Sequence, residues 1–253
     1  MVRPARSAGI AGVSTRRLAG PKTAMVLAAG LGTRMKPLTE HLPKALVPVA
    51  GRALVDRVLD RLVEAGVERA VVNVHHFADQ VENHLRQRGD LEILFSDERA
   101  GLLDSGGGIA HARPLLGEDP VFVANIDSLW IEGANPALET LKAAWDPAAM
   151  DLLLLLVARG NGIGFEGPQG FLMDAAGRLT HSASNEVVTP FANVGFGILR
   201  PSILDGAPGG AFSIIPTWHR LQAQGRLHGA VMDGFWMHVG DPAARDAAEG
   251  RLG

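Results

Sequence analysis

The sequence predicts an α/β fold with a mainly parallel, mixed β-sheet flanked by helices, in a Rossmann-like arrangement. Three observations support this prediction. Apolar runs of strand length alternate with amphipathic runs of helix length from residue 23 to residue 158. The 253 residues are 47% hydrophobic and 20% charged, which suits one large α/β domain. Hairpin and strand signals continue after residue 160, so the second half completes the sheet.

The first half is predicted to contain five strands separated by helices. The strands cover residues 25–28, 70–74, 91–95, 121–126 and 151–158. The predicted helices cover residues 53–65, 77–88 and 136–145, with a short one over 107–113. Since ligands bind beyond the carboxyl ends of strands in such sheets, residues that follow a strand are candidates for a functional site.

The second half departs from strict alternation. Residues 170–173 and 178–181 flank the turn Asp174-Ala175-Ala176-Gly177, which predicts a β-hairpin. Further strands are predicted over 193–199 and 236–239, and a helix over 212–224. Pro242 is expected in the first turn of a last helix.

Composition excludes several classes of protein. The formal net charge of −3 offers no basic field for nucleic acid, and the absence of cysteine excludes disulfides and thiolate metal sites. The longest apolar run, Leu152 to Ala158, is far too short to span a membrane. We therefore expect no nucleic-acid partner, no membrane association and a cytoplasmic location.

Residues 1–22 differ from the remainder of the chain. They contain five basic residues and no acidic residue, and they lack an apolar core of signal-peptide length. The sequence predicts a disordered basic tail over 1–22 and a single domain over 23–253.

The most informative segment follows the first predicted strand. It reads Ala29-Gly30-Leu31-Gly32-Thr33-Arg34-Met35, and Lys44 stands nine residues beyond Met35. Glycine lets the backbone approach a ligand closely, and successive N–H groups in such a turn form an anion-binding concavity. Arg34 and Lys44 would add positive charge, so the segment predicts a binding site for a triphosphate.

Two familiar phosphate loops do not match this segment. A Walker loop requires Lys and Ser or Thr after the last glycine, but Thr33 and Arg34 follow Gly32. The dinucleotide fingerprint requires a third glycine where Met35 stands, and no acidic residue ends the second strand, since Val74 leads to His75. Both patterns are therefore disfavoured.

The segment resembles the signature of the sugar-1-phosphate nucleotidyltransferases. The matching residues are Leu27, Ala28, Ala29, Gly30, Gly32, Thr33, Arg34, Met35, Pro37, Leu38, Thr39, Pro43 and Lys44. The resemblance extends from about Thr23 to Glu249 and implies a GT-A-like fold. It implies in-line attack of a sugar 1-phosphate on the α-phosphorus of an NTP, with release of pyrophosphate.

The resemblance also implies roles for the matched residues. Arg34, Lys44 and Asp127 would be catalytic: Arg34 would stabilise the leaving pyrophosphate, and Lys44 would bridge the α-phosphate and the attacking phosphate. The phosphate segment would bind the nucleotide through Leu27, Ala28, Ala29, Gly30, Gly32 and Thr33.

Asp127 is the principal candidate ligand for Mg²⁺. It ends an apolar strand in Val-Ala-Asn-Ile-Asp, and Mg²⁺ favours one or two carboxylates with substrate phosphates and waters. The family places a second carboxylate where this chain has His238, and imidazole is a poor ligand for Mg²⁺. Asp241 or Asp233 could replace that carboxylate, or His238 could bind a phosphate or a metal-bound water.

The family's remaining subsites are assigned with less support from the residues. A glycine-rich stretch would enclose the nucleobase through Glu98, Asp104, Ser105, Gly106 and Gly107; alternatively, Ser105 simply caps a helix. Sugar contacts are expected from Asn125, Gly170, Asn193 and Gly195.

Within the family, the chain is most similar to short, single-domain bacterial uridylyltransferases. The similarity rests on residues 103–109, 114–117 and 210–212 and on Trp236 with Val239-Gly240. It implies UTP and N-acetylmuramate 1-phosphate as substrates, in cell-wall recycling, and a monomer or small homo-oligomer. Guanylyl transfer to mannose or heptose 1-phosphate is an alternative. A regulatory protein that binds nucleotide sugars without turnover is an alternative of another class.

Overall fold

A computed structural model describes residues 20–165, 167–182, 184 and 186–253. In these residues the strands are β1 (Thr23–Leu27), β2 (Pro48–Val49), β3 (Arg52–Ala53), β4 (Arg69–Val74), β5 (Glu92–Asp97), β6 (Val121–Asn125), β7 (Ser128–Ile131), β8 (Leu152–Ala158), β9 (Gly162–Ile163), β10 (Gly170–Met173), β11 (Leu179–Ser182), β12 (Phe191–Leu199), β13 (Leu227–Met232) and β14 (Phe235–His238). The helices are α1 (Leu54–Glu64), α2 (Ala78–Leu85), α3 (Asp104–Leu116), α4 (Ala137–Ala144), α5 (Ile215–Ala223) and α6 (Pro242–Leu252). Short 3-10 turns cover Thr33–Met35, Lys44–Leu46, Arg159–Asn161 and Pro201–Leu204.

The main sheet has nine strands and confirms the predicted mixed topology. Its path is β11-β10-β12-β6-β1-β4-β5, and β8 pairs with both β12 and β13. Strand β1 lies in the parallel part, where Met25 is in register with Val71 of β4 and Val123 of β6. Strand β12 runs antiparallel to β6, β8 and β10. The parallel half therefore ends at the edge that carries the phosphate segment and Asp127.

Helices cover both faces of the sheet. Alternate residues of β1 point to opposite faces, as the strand period requires. Val26 belongs to the core cluster that includes residues of α1, α2 and α4, whereas Met25 belongs to the cluster that includes residues of α3 and α5. A third, smaller cluster includes Met35 and Met237 and joins the phosphate segment to α6 and to the small sheet β7-β14-β9.

The structure differs from the sequence-based expectations mainly around α3 and α5. Helix α3 begins at Asp104 rather than at residue 107, and its N-cap is Leu103, so the expectation that Ser105 caps it is wrong. Helix α5 begins at Ile215 rather than at residue 212. The Phe212 N–H donates to the Leu103 carbonyl and the Gly107 N–H donates to the Phe212 carbonyl, so this backbone is committed to α3 before the helix can start. Strands β2, β3, β7, β9 and β13 were not predicted.

Residues 1–19 of the predicted tail lie outside the described residues. Lys22 was assigned to that tail, but its carbonyl accepts the N–H groups of Glu68 and Arg69 at 2.8 and 3.1 Å. Lys22 therefore leads directly into β1. In the part of the chain that the structure describes, no helix combines the length and the apolar character needed to cross a bilayer.

Candidate functional site

The segment after β1 forms an open loop that is fixed at Gly32. Gly30 is exposed, and Gly32 has φ 63°, a left-handed conformation that disfavours other residues. A Cβ at Gly32 would lie 3.0 Å from Cβ of Lys44 and 3.0 Å from Cγ2 of Thr39. The Thr39 hydroxyl donates to the Gly32 carbonyl at 2.7 Å. This close packing places the glycine loop directly beside Lys44.

Lys44 and Asp127 meet at the carboxyl edge of the sheet. The Lys44 ammonium lies 2.6 Å from Oδ2 of Asp127, and both side chains are largely buried. Asp127 follows β6, while Lys44 opens a 3-10 turn 83 residues earlier. Two of the three predicted catalytic residues therefore meet. The third, Arg34, is exposed on the loop, and no hydrogen bond or ion pair within the described residues holds it.

His238 completes this group through strand pairing. Strand β14 pairs with β7 so that His238 stands opposite Ser128, the residue after Asp127. The His238 Nε2 lies 3.4 Å from Oδ2 of Asp127, and its Nδ1 lies 3.0 Å from the Gly164 carbonyl. Because the Gly164 carbonyl and the Asp127 carboxylate only accept hydrogen bonds, both contacts fit the imidazolium form of His238, in which Nδ1 and Nε2 each carry a hydrogen.

The electrostatics of this group favour the charged forms. Burial opposes ionisation of Asp127, but the His238 hydrogen bond and the Lys44 charge outweigh it and hold the pKa of Asp127 well below its usual range. Burial also opposes protonation of His238, yet the hydrogen bond and charge of Asp127 raise its pKa above the usual value. The edge therefore holds an ionised carboxylate between two basic side chains.

The other predicted metal ligands are placed differently. The Asp241 carboxylate accepts the Ala244 N–H at 2.8 Å and caps α6. Asp233 precedes the first residue of β14, at the other end of the strand from His238, and accepts hydrogen bonds from Asn135. The expectation that Asp233 moves into the metal site therefore disagrees with its position in the structure. Within residues 20–165, 167–182, 184 and 186–253, no group of three His, Cys, Asp or Glu is arranged to hold a metal ion. Among the described residues, Asp127 is the predicted metal ligand whose carboxylate contacts Lys44 and His238.

Asn73, which was not predicted as a functional residue, fixes the start of the glycine loop after β1. Its Oδ1 accepts the N–H groups of Ala28 and Ala29 at 2.6 and 3.2 Å. Its Nδ2 donates to Oε1 of Glu98 at 2.7 Å. These two backbone N–H groups are therefore bound inside the protein, although Ala28 and Ala29 were predicted to contact the nucleotide. One polar residue within the apolar run Ala70–Val74 was the signal that could have identified Asn73.

The glycine-rich stretch packs closely rather than standing open. A Cβ at Gly106 would lie 2.5 Å from the Phe212 ring, and one at Gly107 would lie 2.4 Å from the Gly210 carbonyl. Both glycines are buried, as is Glu98, which is 2% exposed. Of the predicted base-pocket residues, the exposed Asp104 and the half-buried Ser105 remain accessible at the start of α3.

A cavity of about 220 Å³ lies at the carboxyl ends of β1 and β6, where Leu27 and Asn125 contribute to its lining. Its polar lining includes Ser105, Asn125, Asn193 and Gly195, and its apolar lining includes Leu27, Ile109, Ile215 and Trp218. A Cβ at Gly195 would lie 2.8 Å from the Asn125 amide, and the side-chain Oδ1 of Asn193 accepts the Gly195 N–H at 2.9 Å. Three predicted sugar contacts thus share one cavity. The fourth, Gly170, is buried in β10 outside its lining.

Comparisons with known proteins agree on one family. Residues 24–161 match the model of the MobA-like NTP transferase domain. The chain is 54% identical over 236 residues to N-acetylmuramate alpha-1-phosphate uridylyltransferase of Caulobacter vibrioides, covering 92% of this chain and 97% of the relative. It is 34% identical over 223 residues to the protein of that name from Neisseria meningitidis serogroup B, covering 86% of this chain and 92% of the relative.

A solved structure supports the fold. UDP-glucose pyrophosphorylase complexed with UDP-glucose superimposes with a TM-score of 0.75, covering 92% of this chain and 98% of that structure. The sequence identity is 17%. At that identity the similarity establishes the shared architecture, and the predicted GT-A-like arrangement is confirmed.

Proposed function

The chain belongs to the MobA-like NTP transferase domain family and is a nucleotidyltransferase, and from this premise we propose its substrates. We propose that it transfers a uridylyl group from UTP to N-acetylmuramate 1-phosphate. The products would be UDP-N-acetylmuramate and pyrophosphate. The choice of substrates is supported by the two relatives that carry this activity in their names.

The contact between Lys44 and Asp127 carries the proposal. It places one cation and one carboxylate 2.6 Å apart, directly beside the glycine loop. A reaction between two phosphates needs positioning and charge neutralisation more than it needs a general base. The attacking phosphate is already an anion, so no side chain has to remove a proton.

The proposed step is an in-line displacement. A phosphate oxygen of the sugar 1-phosphate forms a bond to the α-phosphorus of UTP, and the bond from that phosphorus to the bridging oxygen breaks. Pyrophosphate leaves with the electron pair. Gly30, Gly32 and Thr33 would present backbone N–H groups to the phosphates, Arg34 would neutralise the leaving group, and Lys44 would contact the α-phosphate.

The residues at this edge fit a hard divalent cation such as Mg²⁺. Asp127 offers an ionised carboxylate at a strand end, which together with nucleotide phosphates is a usual ligand set. A bound metal would supply positive charge to both phosphates. His238 suits the set as an orienting neighbour of Asp127 better than as a ligand, because imidazole coordinates Mg²⁺ poorly.

The cavity beside the edge is proposed as the acceptor subsite. Asn125 and Asn193 offer amide groups to sugar hydroxyls and to an N-acetyl group. Ile215 and Trp218 offer apolar surface to the parts of the acceptor that carry no hydrogen-bonding group. We call the cavity lined by these residues the acceptor cavity.

A matrix of nucleotides and acceptors tests the proposal. UTP, GTP, CTP and ATP are each paired with N-acetylmuramate, N-acetylglucosamine, mannose, heptose and glucose 1-phosphates, and pyrophosphate release is measured with Mg²⁺ present. We expect the highest kcat/KM for UTP with N-acetylmuramate 1-phosphate. A higher value for GTP with mannose 1-phosphate would replace the proposed substrates, and binding without turnover for every pair would indicate a regulatory protein.

A further inference from the structure

Two buried polar side chains lie behind the glycine loop, outside the proposed chemistry. Asn73 is 3% exposed and Glu98 is 2% exposed. Asn73 stands in β4 beside β1, and it accepts the N–H groups of Ala28 and Ala29, the two residues before Gly30. Burial of a polar side chain in an apolar strand costs free energy unless the side chain is hydrogen-bonded. The hydrogen bonds of Asn73 therefore account for a polar residue at this position.

Glu98 extends the connection to the second loop of the site. Its Oε1 accepts from the Asn73 amide at 2.7 Å, and its Oε2 accepts the Leu103 N–H at 3.1 Å. Leu103 is the N-cap of α3 and precedes Asp104, the first accessible residue of the predicted base pocket. A single pair of side chains therefore ties the start of the phosphate loop to the start of the base-pocket helix.

Helix α3 packs directly onto this pair. A Cβ at Gly108 would lie 2.8 Å from Oε1 of Glu98 and 3.0 Å from Nδ2 of Asn73. Any larger residue would push the pair away. The space that the pair occupies therefore explains why Gly108, one of the three consecutive glycines, has no side chain.

We propose that Asn73 and Glu98 form a buried clamp that positions the nucleotide by orienting the two loops that contact it. Both act as positioning residues, because neither side chain reaches the exposed surface of the site. A trans peptide points its carbonyl opposite to its N–H. Hydrogen bonds to the Ala28 and Ala29 N–H groups therefore fix the planes of peptides 27–28 and 28–29, which precede Gly30. The inference rests on the proposed function, since it names what positions the nucleotide of that reaction.

The clamp has a specific donor and acceptor pattern that a mutant pair can reverse. In the wild-type protein the side-chain amide at position 73 donates a hydrogen bond to the carboxylate at position 98. Asn73→Asp alone would bring two carboxylate groups together. Glu98→Gln alone would place an amide NH₂ against either the Asn73 NH₂ or the Leu103 N–H, leaving one donor without an acceptor.

The double variant Asn73→Asp/Glu98→Gln restores every hydrogen bond. The new carboxylate at position 73 accepts from Ala28, Ala29 and the new amide at position 98. That amide's oxygen still accepts the Leu103 N–H. Shape, buried volume and the total charge of the pair are the same as in the wild type, so rescue tests the hydrogen-bond pattern itself.

The experiment measures KM for UTP and for the sugar 1-phosphate separately, together with Kd for UTP in the absence of acceptor. Each single variant should raise KM and Kd for UTP by about tenfold, as loss of one buried hydrogen bond does, while KM for the sugar 1-phosphate stays within about twofold. The double variant should return both UTP constants to within about threefold of wild type. Asn83→Asp/Glu118→Gln makes the same chemical changes at two exposed positions and serves as the matched control.

Two results would overturn the clamp. One is a pair of folded single variants whose UTP constants stay within about twofold of wild type. The other is a double variant no better than the weaker single variant. If the single variants do not fold, the double variant decides: recovered folding with wild-type UTP binding supports the clamp, and failure to fold overturns it. Absence of turnover in the wild type would instead refute the proposed function, and Kd for UTP would still report on the clamp.

Discussion

The catalytic edge and the acceptor cavity are neighbours with opposite chemistry. We define the catalytic edge by the loop residues Gly30, Gly32 and Arg34 and by the contacting side chains of Lys44, Asp127 and His238. Its charged groups are close together, with a cation 2.6 Å from a carboxylate. The acceptor cavity is lined by two amides, two hydroxyls, glycines and apolar side chains, with no charged residue in its lining. The edge is suited to neutralising phosphates, whereas the cavity is suited to selecting an acceptor by its shape and its hydrogen bonds.

The two regions are also held in place differently. Residues of the edge come from chain-distant elements that a buried ion pair and a short strand pairing bring together. Residues of the cavity are fixed by the bulged strand β12, where Gly195 lets the backbone pass close to Asn125. Substitutions at the edge should therefore change turnover, and substitutions in the cavity should change acceptor affinity.

The largest effect is expected from Asp127→Asn. The substitution keeps the shape but removes the negative charge that a metal and Lys44 both need, so kcat should fall about a thousandfold. Raising the Mg²⁺ concentration should restore only part of the rate, as measured by pyrophosphate release.

Asp241→Asn is the informative companion to this variant. Asparagine caps helices as well as aspartate does, so α6 should be unaffected. A large loss of activity in Asp241→Asn together with a small loss in Asp127→Asn would move the metal site from Asp127 to Asp241.

Lys44→Ala should lower kcat by at least about two orders of magnitude. The variant removes a charge contact that the proposed reaction strengthens in its transition state. Lys36→Ala, which changes an exposed lysine in the same segment, is the control and should retain activity. Circular dichroism should show that both variants fold. Wild-type rates in Lys44→Ala would remove that residue from the mechanism.

The edge could be predicted from sequence more fully than the cavity, for a physical reason. The glycine loop, Arg34 and Lys44 lie within sixteen residues, and their spacing is a local signal. Asn73 acts on Ala28 from 45 residues away, and only strand pairing brings the two together. The predicted start of α5 was wrong for the same reason, because the Phe212 backbone forms hydrogen bonds with Leu103 and Gly107, which are distant in sequence.

Ile215→Ala should separate the cavity from the edge. Ile215 lines the cavity and is 38% exposed, so its truncation should leave folding nearly unchanged. Loss of part of an apolar contact should raise KM for the sugar 1-phosphate about fivefold and leave KM for UTP unchanged. Ile131→Ala is matched, because Ile131 is 39% exposed and lies outside the cavity lining. An equal rise in both KM values would show that the two regions do not act separately.

The smallest effect distinguishes two histidines, His238 in the catalytic edge and His181, which contacts a residue of the cavity lining. His238 at the edge has a raised pKa because, against the cost of its burial, Asp127 stabilises the imidazolium. His181 packs against Trp218 of the cavity, and burial, with the nearby charge of His219, lowers its pKa. The contribution of His238 to stability is therefore present below pH 6.5 and lost as pH rises through its folded pKa. His181 acts in the opposite sense: the unfolded chain binds its proton first, so stability falls as pH drops below about 6.5. NMR titration of the ring resonances in metal-free buffer, assigned with His181→Gln and His238→Asn, should place the two pKa values on opposite sides of 6.5. Equal values would show that the charged edge and the buried surroundings of Trp218 do not shift these two pKa values in opposite directions.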